Sequence, residues 1–564
     1  MRSALRTAAV LLAIGQATAQ IPPADLILVN GRIVTVDAGF SIARAVAIRE
    51  GRFVAVGDDD AVRRHAGSAT RTIDLRGRTV VPGLADNHLH NAGGGPGVDL
   101  SRARSVADVL AAVSARAAQA GPGRIVVSNR DWHEGQLREQ RLPLRRDLDA
   151  AAPDHPVVLV RGGHEYILNS AALKRWNIDQ RTPVPAGGRV SRYDDGSLNG
   201  ELVDQAKSLV PMADIAPLLS SGGSYEERVD ARVAEYSKLH AAGLTSVRHP
   251  GVSADDFRML LDLRKRGLLT MRVRVLLDRN AAKELRPGGG DEWLRVDGIK
   301  LMVDGGFEGG WMREPYEEPY GEKGTYRGLS LMRDEAFTSM VRAFNRDGWR
   351  LFTHAVGDAA IDQVLTAYEA ASAEKSIAGR RWGIEHAFIA RDDHFERMRA
   401  LGLGLSVQHH LYLAAPSLVK YWGPARAART TPLRAMIDAG LPVSIGTDSA
   451  VVPYPPLWAI YHFVTRGTIS GGVVGPDQRV TRQEALRAAT MGNAWLTFEE
   501  GVKGSIEPGK LADLVVLSDD ILTCPENRIE QMDVLLTVVG GRVVFDRLAT
   551  GAPAKPRRNG PDLP

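Results

Sequence analysis

Apolar positions in this chain gather into short runs, and the spacing between runs changes character twice. Near the N-terminus, Leu26-Ile-Leu-Val and Arg32-Ile-Val-Thr-Val flank Asn30-Gly31 and read as two short strands across a turn. Ala45-Val-Ala-Ile, Phe53-Val-Ala-Val and Thr72-Ile-Asp-Leu add further strands. The same texture returns at the other end, in Ala512-Asp-Leu-Val-Val-Leu and Val534-Leu-Leu-Thr-Val-Val. Neither end holds enough strands for a stable sheet alone, so the two are predicted to combine into one small β-sandwich. Between them, buried-strand runs alternate with helical periodicity, as in residues 226–242 and 334–347. Strands are predicted to end near His90, His249, Leu277, Asp304, His354, His386, Gln408 and Asp448. Eight strand–helix units make an α/β chain with a distorted TIM (β/α)8 barrel, whose functional residues belong at the C-terminal ends of strands. The first and second strands lie much further apart than one crossover needs, so residues 99–225 are read as an insertion at the barrel mouth. The predicted order is a signal segment 1–19, the N-terminal half of the sandwich 20–80, the barrel 81–500, and the C-terminal half of the sandwich with a tail 501–564.

Composition narrows the class. The chain has 564 residues, 44% hydrophobic and 24% charged, an ordinary globular balance. A net charge of +4 from 71 basic and 67 acidic groups is too weak to imply a nucleic-acid partner. Arg2 and Arg6, an apolar stretch over 7–15 and Ala17-Thr-Ala19 form a secretory signal, predicting cleavage after Ala19 and export to a bacterial periplasm. No later stretch is apolar for long enough to span a membrane. Cys524 is the single cysteine, which excludes an internal disulfide and a cysteine-rich metal site. The pattern leaves a homo-oligomer open.

The chemistry sits at the predicted strand ends. In Val81-Pro-Gly-Leu-Ala-Asp-Asn-His88-Leu-His90, two histidines at i and i+2 of a strand would share one face. A pair of neutral imidazoles suits a borderline divalent metal such as zinc. His354, His386 and Asp448 close three further runs, and all five residues would meet on one barrel face. Lys300 lies inside the apolar run Gly298-Ile-Lys300-Leu-Met-Val-Asp304. Two readings fit it: an ion pair with Asp304, or an amine neutral enough through burial to take up carbon dioxide as a carbamate that bridges two metals.

These stretches resemble the amidohydrolase superfamily, and within it the YtcJ-like amidohydrolase family 3. The resemblance runs through Pro82-Gly-Leu-Ala-Asp-Asn-His-Leu-His90, Gly163-His-Glu-Tyr-Ile-Leu-Asn-Ser-Ala-Ala-Leu173, Gly243-Leu-Thr-Ser-Val247 and Lys300-Leu-Met-Val-Asp-Gly305. It continues in His354-Ala-Val-Gly-Asp358, Ile384-Glu-His386, Gly446-Thr-Asp-Ser449 and Gly509-Lys-Leu-Ala-Asp-Leu514. It implies a binuclear centre in which His88, His90 and Asp448 hold one metal, His354 and His386 the other, and carboxylated Lys300 bridges them. Two positions depart from the family pattern, Asn87 and the segment Arg248-His249-Pro250, the second expected beside the site.

The implied activity is metal-dependent hydrolysis of non-peptide carbon–nitrogen bonds (amide, N-formyl or cyclic amide) in a small-molecule substrate, by a metal-bridged hydroxide. Ester or lactone hydrolysis and deamination are the alternatives on the same barrel. Deaminases of the superfamily carry Glu three residues after the strand-five histidine, where this chain has Gly357. Asp448 is expected to move the proton to the leaving group besides ligating. His164 is expected to contact substrate or its oxyanion, or else to serve as a structural histidine. Trp132, with His133 beside it, Tyr316 and Gln408 are the remaining substrate-contact candidates; packing is the alternative for Trp132, and support of a ligand for Gln408.

Overall fold

A computed structural model describes residues 22–219, 223–317, 324–452 and 455–548. The predicted signal segment 1–19 lies outside them, as do residues 549–564. Eight parallel strands form the barrel: β1 Leu84–Asp86, β2 Leu244–Val252, β3 Arg272–Leu277, β4 Leu294–Met302, β5 Leu351–Ala355, β6 Gly383–His386, β7 Gly404–Gln408 and β8 Val443–Gly446. β5, β6 and β7 are buried at every position, as strands covered on both faces must be. The helices predicted from periodicity are present as Tyr225–Ala241 and Asp334–Arg346. The first starts at Ser224, whose side chain and that of Glu227 cap each other's backbone.

The barrel is distorted where it closes. Among the described residues β1 and β8 share no ladder; loop contacts join them instead. The Asp448 N–H donates to His88 O at 2.7 Å, and the Thr447 hydroxyl donates to Asp86 at 2.6 Å. The seam of the barrel therefore lies at the predicted site residues His88 and Asp448.

Both chain ends build the sandwich. In its six-stranded sheet, Thr79–Pro82 pairs antiparallel with Leu514–Leu517, so N-terminal and C-terminal segments are neighbours. Asn30-Gly31 does not close a hairpin, contrary to the turn signal. Leu26–Val29 joins the four-stranded sheet and Arg32–Val34 the six-stranded one, so the chain changes layer at this point. The change of layer packs tightly: a Cβ on Gly31 would lie 2.3 Å from Leu75 Cδ1.

The insertion has its own five-stranded mixed sheet, in the order Gly188–Arg192, Leu198–Asp204, Glu165–Leu168, Val157–Arg161, Val126–Val127. Val157 and Leu159 pack with Val109 and Val113 of the helix Val106–Ala120. Val158 and Val160 pack against Leu202 and Ala206 on the opposite face. Apolar residues thus pack on both faces of this sheet and give the insertion a core of its own.

Candidate metal centre

β1 ends at Asp86, so His88 and His90 lie past the strand and do not share its face as expected. The chain bends away because Arg248 Nε donates to Asn87 O at 2.7 Å while His88 O accepts from Asp448. The two rings still meet, centroids 5.4 Å apart, because both reach the same carboxylate oxygen. His88 Nε2 and His90 Nε2 are 3.5 and 3.2 Å from Asp448 Oδ1. His88 is buried, whereas the His90 side chain is 41% exposed.

Three imidazoles have one nitrogen committed elsewhere. His88 Nδ1 donates to Glu385 at 2.5 Å, His386 Nδ1 to Gln408 Oε1 at 2.5 Å, and His354 Nε2 to the Gly305 carbonyl at 3.1 Å. A ring nitrogen that donates carries the proton, so the other nitrogen of a neutral ring offers a lone pair. Burial keeps these rings neutral. It holds His354 and His386 well below the ordinary histidine value and His88 at about 4, where the Lys300 charge helps. The rings pack closely, with His88–His386 centroids 4.9 Å and His354–His386 4.6 Å apart. Ligand atoms of His88, His386 and Asp448 lie within 4.8 Å of one another. Neutral, oriented imidazoles around a carboxylate fit a divalent cation of the zinc class.

Asp448 and Lys300 complete the centre. Burial alone would raise the Asp448 carboxyl, but His88, His410 and His90 outweigh it and hold it well below the usual range. His410 Nε2 is 3.1 Å from Asp448 Oδ2. Lys300, half-buried, places Nζ 3.3 Å from His88 Nε2, and burial lowers its amine to about 8 against the pull of Glu385 and Asp448. It does not pair with Asp304, whose carboxylate accepts backbone N–H groups of Trp311, Val356 and Gly357 at 2.9–3.0 Å.

A cavity of about 40 Å³ opens onto this cluster. His354, His386, His410 and Asp448 line one side, His164 and Gly306 another, and Phe307, Phe388, Val356 and Val451 give apolar walls.

A family model described as amidohydrolase family matches residues 71–545. An N-substituted formamide deformylase of Arthrobacter pascens is 32% identical over 555 residues, covering 93% of this chain and 98% of that protein. The amidohydrolase YtcJ of Bacillus subtilis (strain 168) is 26% identical over 520 residues, covering 89% and 96%. A crystal structure of a metal-dependent hydrolase from Pyrococcus furiosus superimposes with a TM-score of 0.64 at 26% identity, covering 88% of this chain and 100% of that one. The chain belongs to the amidohydrolase family. It is therefore a hydrolase of carbon–nitrogen bonds, acting on small molecules.

The amidohydrolase site departs from the sequence reading at several residues. The set within 4.8 Å takes His88 from one expected metal group and His386 from the other, with His90 and His354 bordering it. Trp132 is not a cavity residue: its ring is buried in the insertion core and its indole N–H donates to Val160 O at 2.9 Å. Tyr316 is also buried away from the cavity, its hydroxyl 2.9 Å from Phe307 O and 2.8 Å from Gly310 O. Gln408 faces His386, not substrate. His164 does line the cavity, oriented by Asp204 at 2.6 Å. At Gly357 an added Cβ would lie 1.9 Å from the Trp311 carbonyl, so no acidic side chain fits there.

The sequence reading missed Glu385, Asp204 and His410 as site residues, and it placed the Arg248 segment beside the site without giving Arg248 a role. Glu385 accepts from His88, from Arg248 Nη2 at 2.6 Å and from Ser406, and Arg248 and His88 hold its carboxyl at about 2 despite burial. Arg248 thus lies beneath the centre rather than beside the substrate, and His249 turns away to Leu89 O at 2.6 Å. A charged residue inside a buried strand was the available signal for Glu385 and Arg248.

Proposed function

We propose that this amidohydrolase cleaves amide, N-formyl or cyclic-amide bonds with one or two divalent metals held by His88, His90, His354, His386 and Asp448, and by Lys300 as a carbamate. The observation that carries the reading is the locking of three imidazoles by Glu385, Gln408 and Gly305 O, which leaves the other nitrogen of each neutral ring as a free lone pair. Bound there, a divalent cation would polarise the substrate carbonyl and acidify a water. Asp448, ionised and in contact with His88, His90 and His410, is the group to accept the proton of the attacking water and pass it to the leaving nitrogen. His164 projects into the cavity with Nδ1 donating to Asp204, so its Nε2 is directed to the substrate side and binds or orients the acyl group. Deamination is disfavoured, because the position of its catalytic Glu is filled by Gly357 against the Trp311 carbonyl. The name of the Arthrobacter relative makes N-substituted formamides the first substrates to try.

The test is to count metals per chain and to assay N-formyl, N-acyl and cyclic amides with and without chelator. Chelator-sensitive release of amine, restored by added metal, is the expected result. Release of ammonia from an aminopurine-type ring by protein holding one metal would overturn it.

A further inference from the structure

His133 stands at the start of a short turn, Glu134–Gln136, and borders the cavity. Its Nδ1 accepts the Gly135 N–H at 3.0 Å. A backbone N–H can only donate, so Nδ1 is the bare nitrogen and Nε2 carries the proton. The Glu134 carboxylate, 3.3 Å from Nδ1, is engaged by Arg161 and Ser417. The side chain is 3% exposed, and its Nε2–H has no hydrogen-bond partner among the described residues. A buried donor left without an acceptor is unfavourable, and a bound molecule is what can supply one.

The surroundings restrict that molecule. Phe307 packs edge-on to His133 at 5.7 Å and also to His410 at 5.7 Å, and His410 is a further 5.7 Å from His386. His133 is thus two rings removed from the ligand cluster, so its partner belongs to the far end of a substrate, not to the scissile carbonyl. Phe307, Phe388, Val356 and Val451 make the walls apolar. The nearby cation, Arg161, is enclosed by Glu134, Glu165 and Glu308, so no positive charge remains to hold an anion.

We infer that His133 is a specificity-determining donor for a neutral oxygen acceptor, an ether, carbonyl or hydroxyl, on an otherwise apolar N-substituent of the substrate. The inference rests on the carbon–nitrogen hydrolase reading and adds the substrate class. N-(ω-methoxyalkyl)formamides and the N-alkylformamides with CH2 in place of the ether oxygen, over linkers of two to five carbons, provide the test. At the linker length that fits, the protein should prefer the ether by about tenfold or more in kcat/KM, since a site built to donate rejects an analogue lacking the acceptor. Calorimetric binding of the same pairs to chelated protein should show the same preference without turnover. His133→Asn keeps an acceptor for Gly135 but no donor at the Nε2 position, and should bring the ratio to about one with little change in Tm. His133→Gln offers an N–H there but loses the turn contact, and should keep part of the preference at a lower Tm. Equal treatment of the two series by the wild-type protein at every length, or a preference that survives in His133→Asn, would overturn the inference. If neither series is hydrolysed but a His133-dependent ether preference in binding persists, the hydrolase reading fails while the donor site stands.

Discussion

At the residue scale, Glu385, Gln408 and the Gly305 carbonyl each hold one nitrogen of an imidazole in the cluster. Glu385 sets the tautomer of His88, and replacing such a partner characteristically weakens metal binding by about 10–100-fold. Glu385→Gln, which keeps the shape, should show that loss in a chelator competition titration, and it should also lower the Tm because buried Arg248 loses its carboxylate partner. The same pair makes an acid-sensitive element. Glu385 is depressed from 4.5 to about 2 and His88 from 6.5 to about 4, so in both cases the unfolded chain binds more protons. Their stabilisation is complete above about pH 6.5; the His88 part is lost between about 6.5 and 4, and the Glu385 part between about 4.5 and 2. Acid unfolding of the metal-free protein, followed by circular dichroism, should be less steep below pH 4.5 in Glu385→Gln than in the unaltered chain. Lys300 supplies a third test: Lys300→Ala should lower metal content, and short carboxylates should partly restore activity. Full metal occupancy in that variant would rule out the carbamate.

At the element scale, buried polar contacts hold the loops that follow the strand ends. His386 and Asp448 both adopt left-handed backbone, at φ 74° and 60°, a conformation that costs about 1 kcal/mol for a non-glycine residue. β6 and β8 therefore lead into turns that carry His386 and Asp448, and the Asp448 N–H bond to the His88 carbonyl holds the second of them. After β5 the Asp304 carboxylate gathers three backbone N–H groups and brings the loop around Trp311 against Gly357. Gly357→Ala should destabilise the protein by at least the ~1–3 kcal/mol of ordinary overpacking, because the obstacle is backbone. Thermal denaturation measures this, and an unchanged Tm would show that the loop can move aside.

At the scale of the whole molecule, barrel and sandwich are expected to unfold together. Their apolar cores are continuous, with Val515, Leu517 and Val534 packed in the same cluster as barrel residues. Arg272 of β3 donates to both Asp513 oxygens at 2.7 and 3.0 Å, and Asp513 also accepts the Gly540 N–H. Both charges are buried, so removing one strands the other at a cost of about 3–5 kcal/mol. Asp513→Ala should lower the Tm of a single transition; two separate transitions, only one of them shifted, would contradict the coupling.

The sequence by itself determined the eight-strand barrel, the joining of the two chain ends and the insertion, and it nominated His88, His90, Lys300, His354, His386 and Asp448 as site candidates. Periodicity and the placement of polar residues at the ends of apolar runs are local properties, and they survive in one dimension. Tertiary structure alone decided that β1 stops before His88, that Asn30-Gly31 changes layer, and that Glu385 and Gln408 orient the rings. It also decided that Trp132 and Tyr316 are packed away while His133 reaches the cavity. Each of these depends on contacts between residues distant in the chain, such as His88 with Glu385 and Arg248 with Asn87. The hydrophobic pattern sets which face a residue prefers, but partners reached across the barrel set what its polar atoms do.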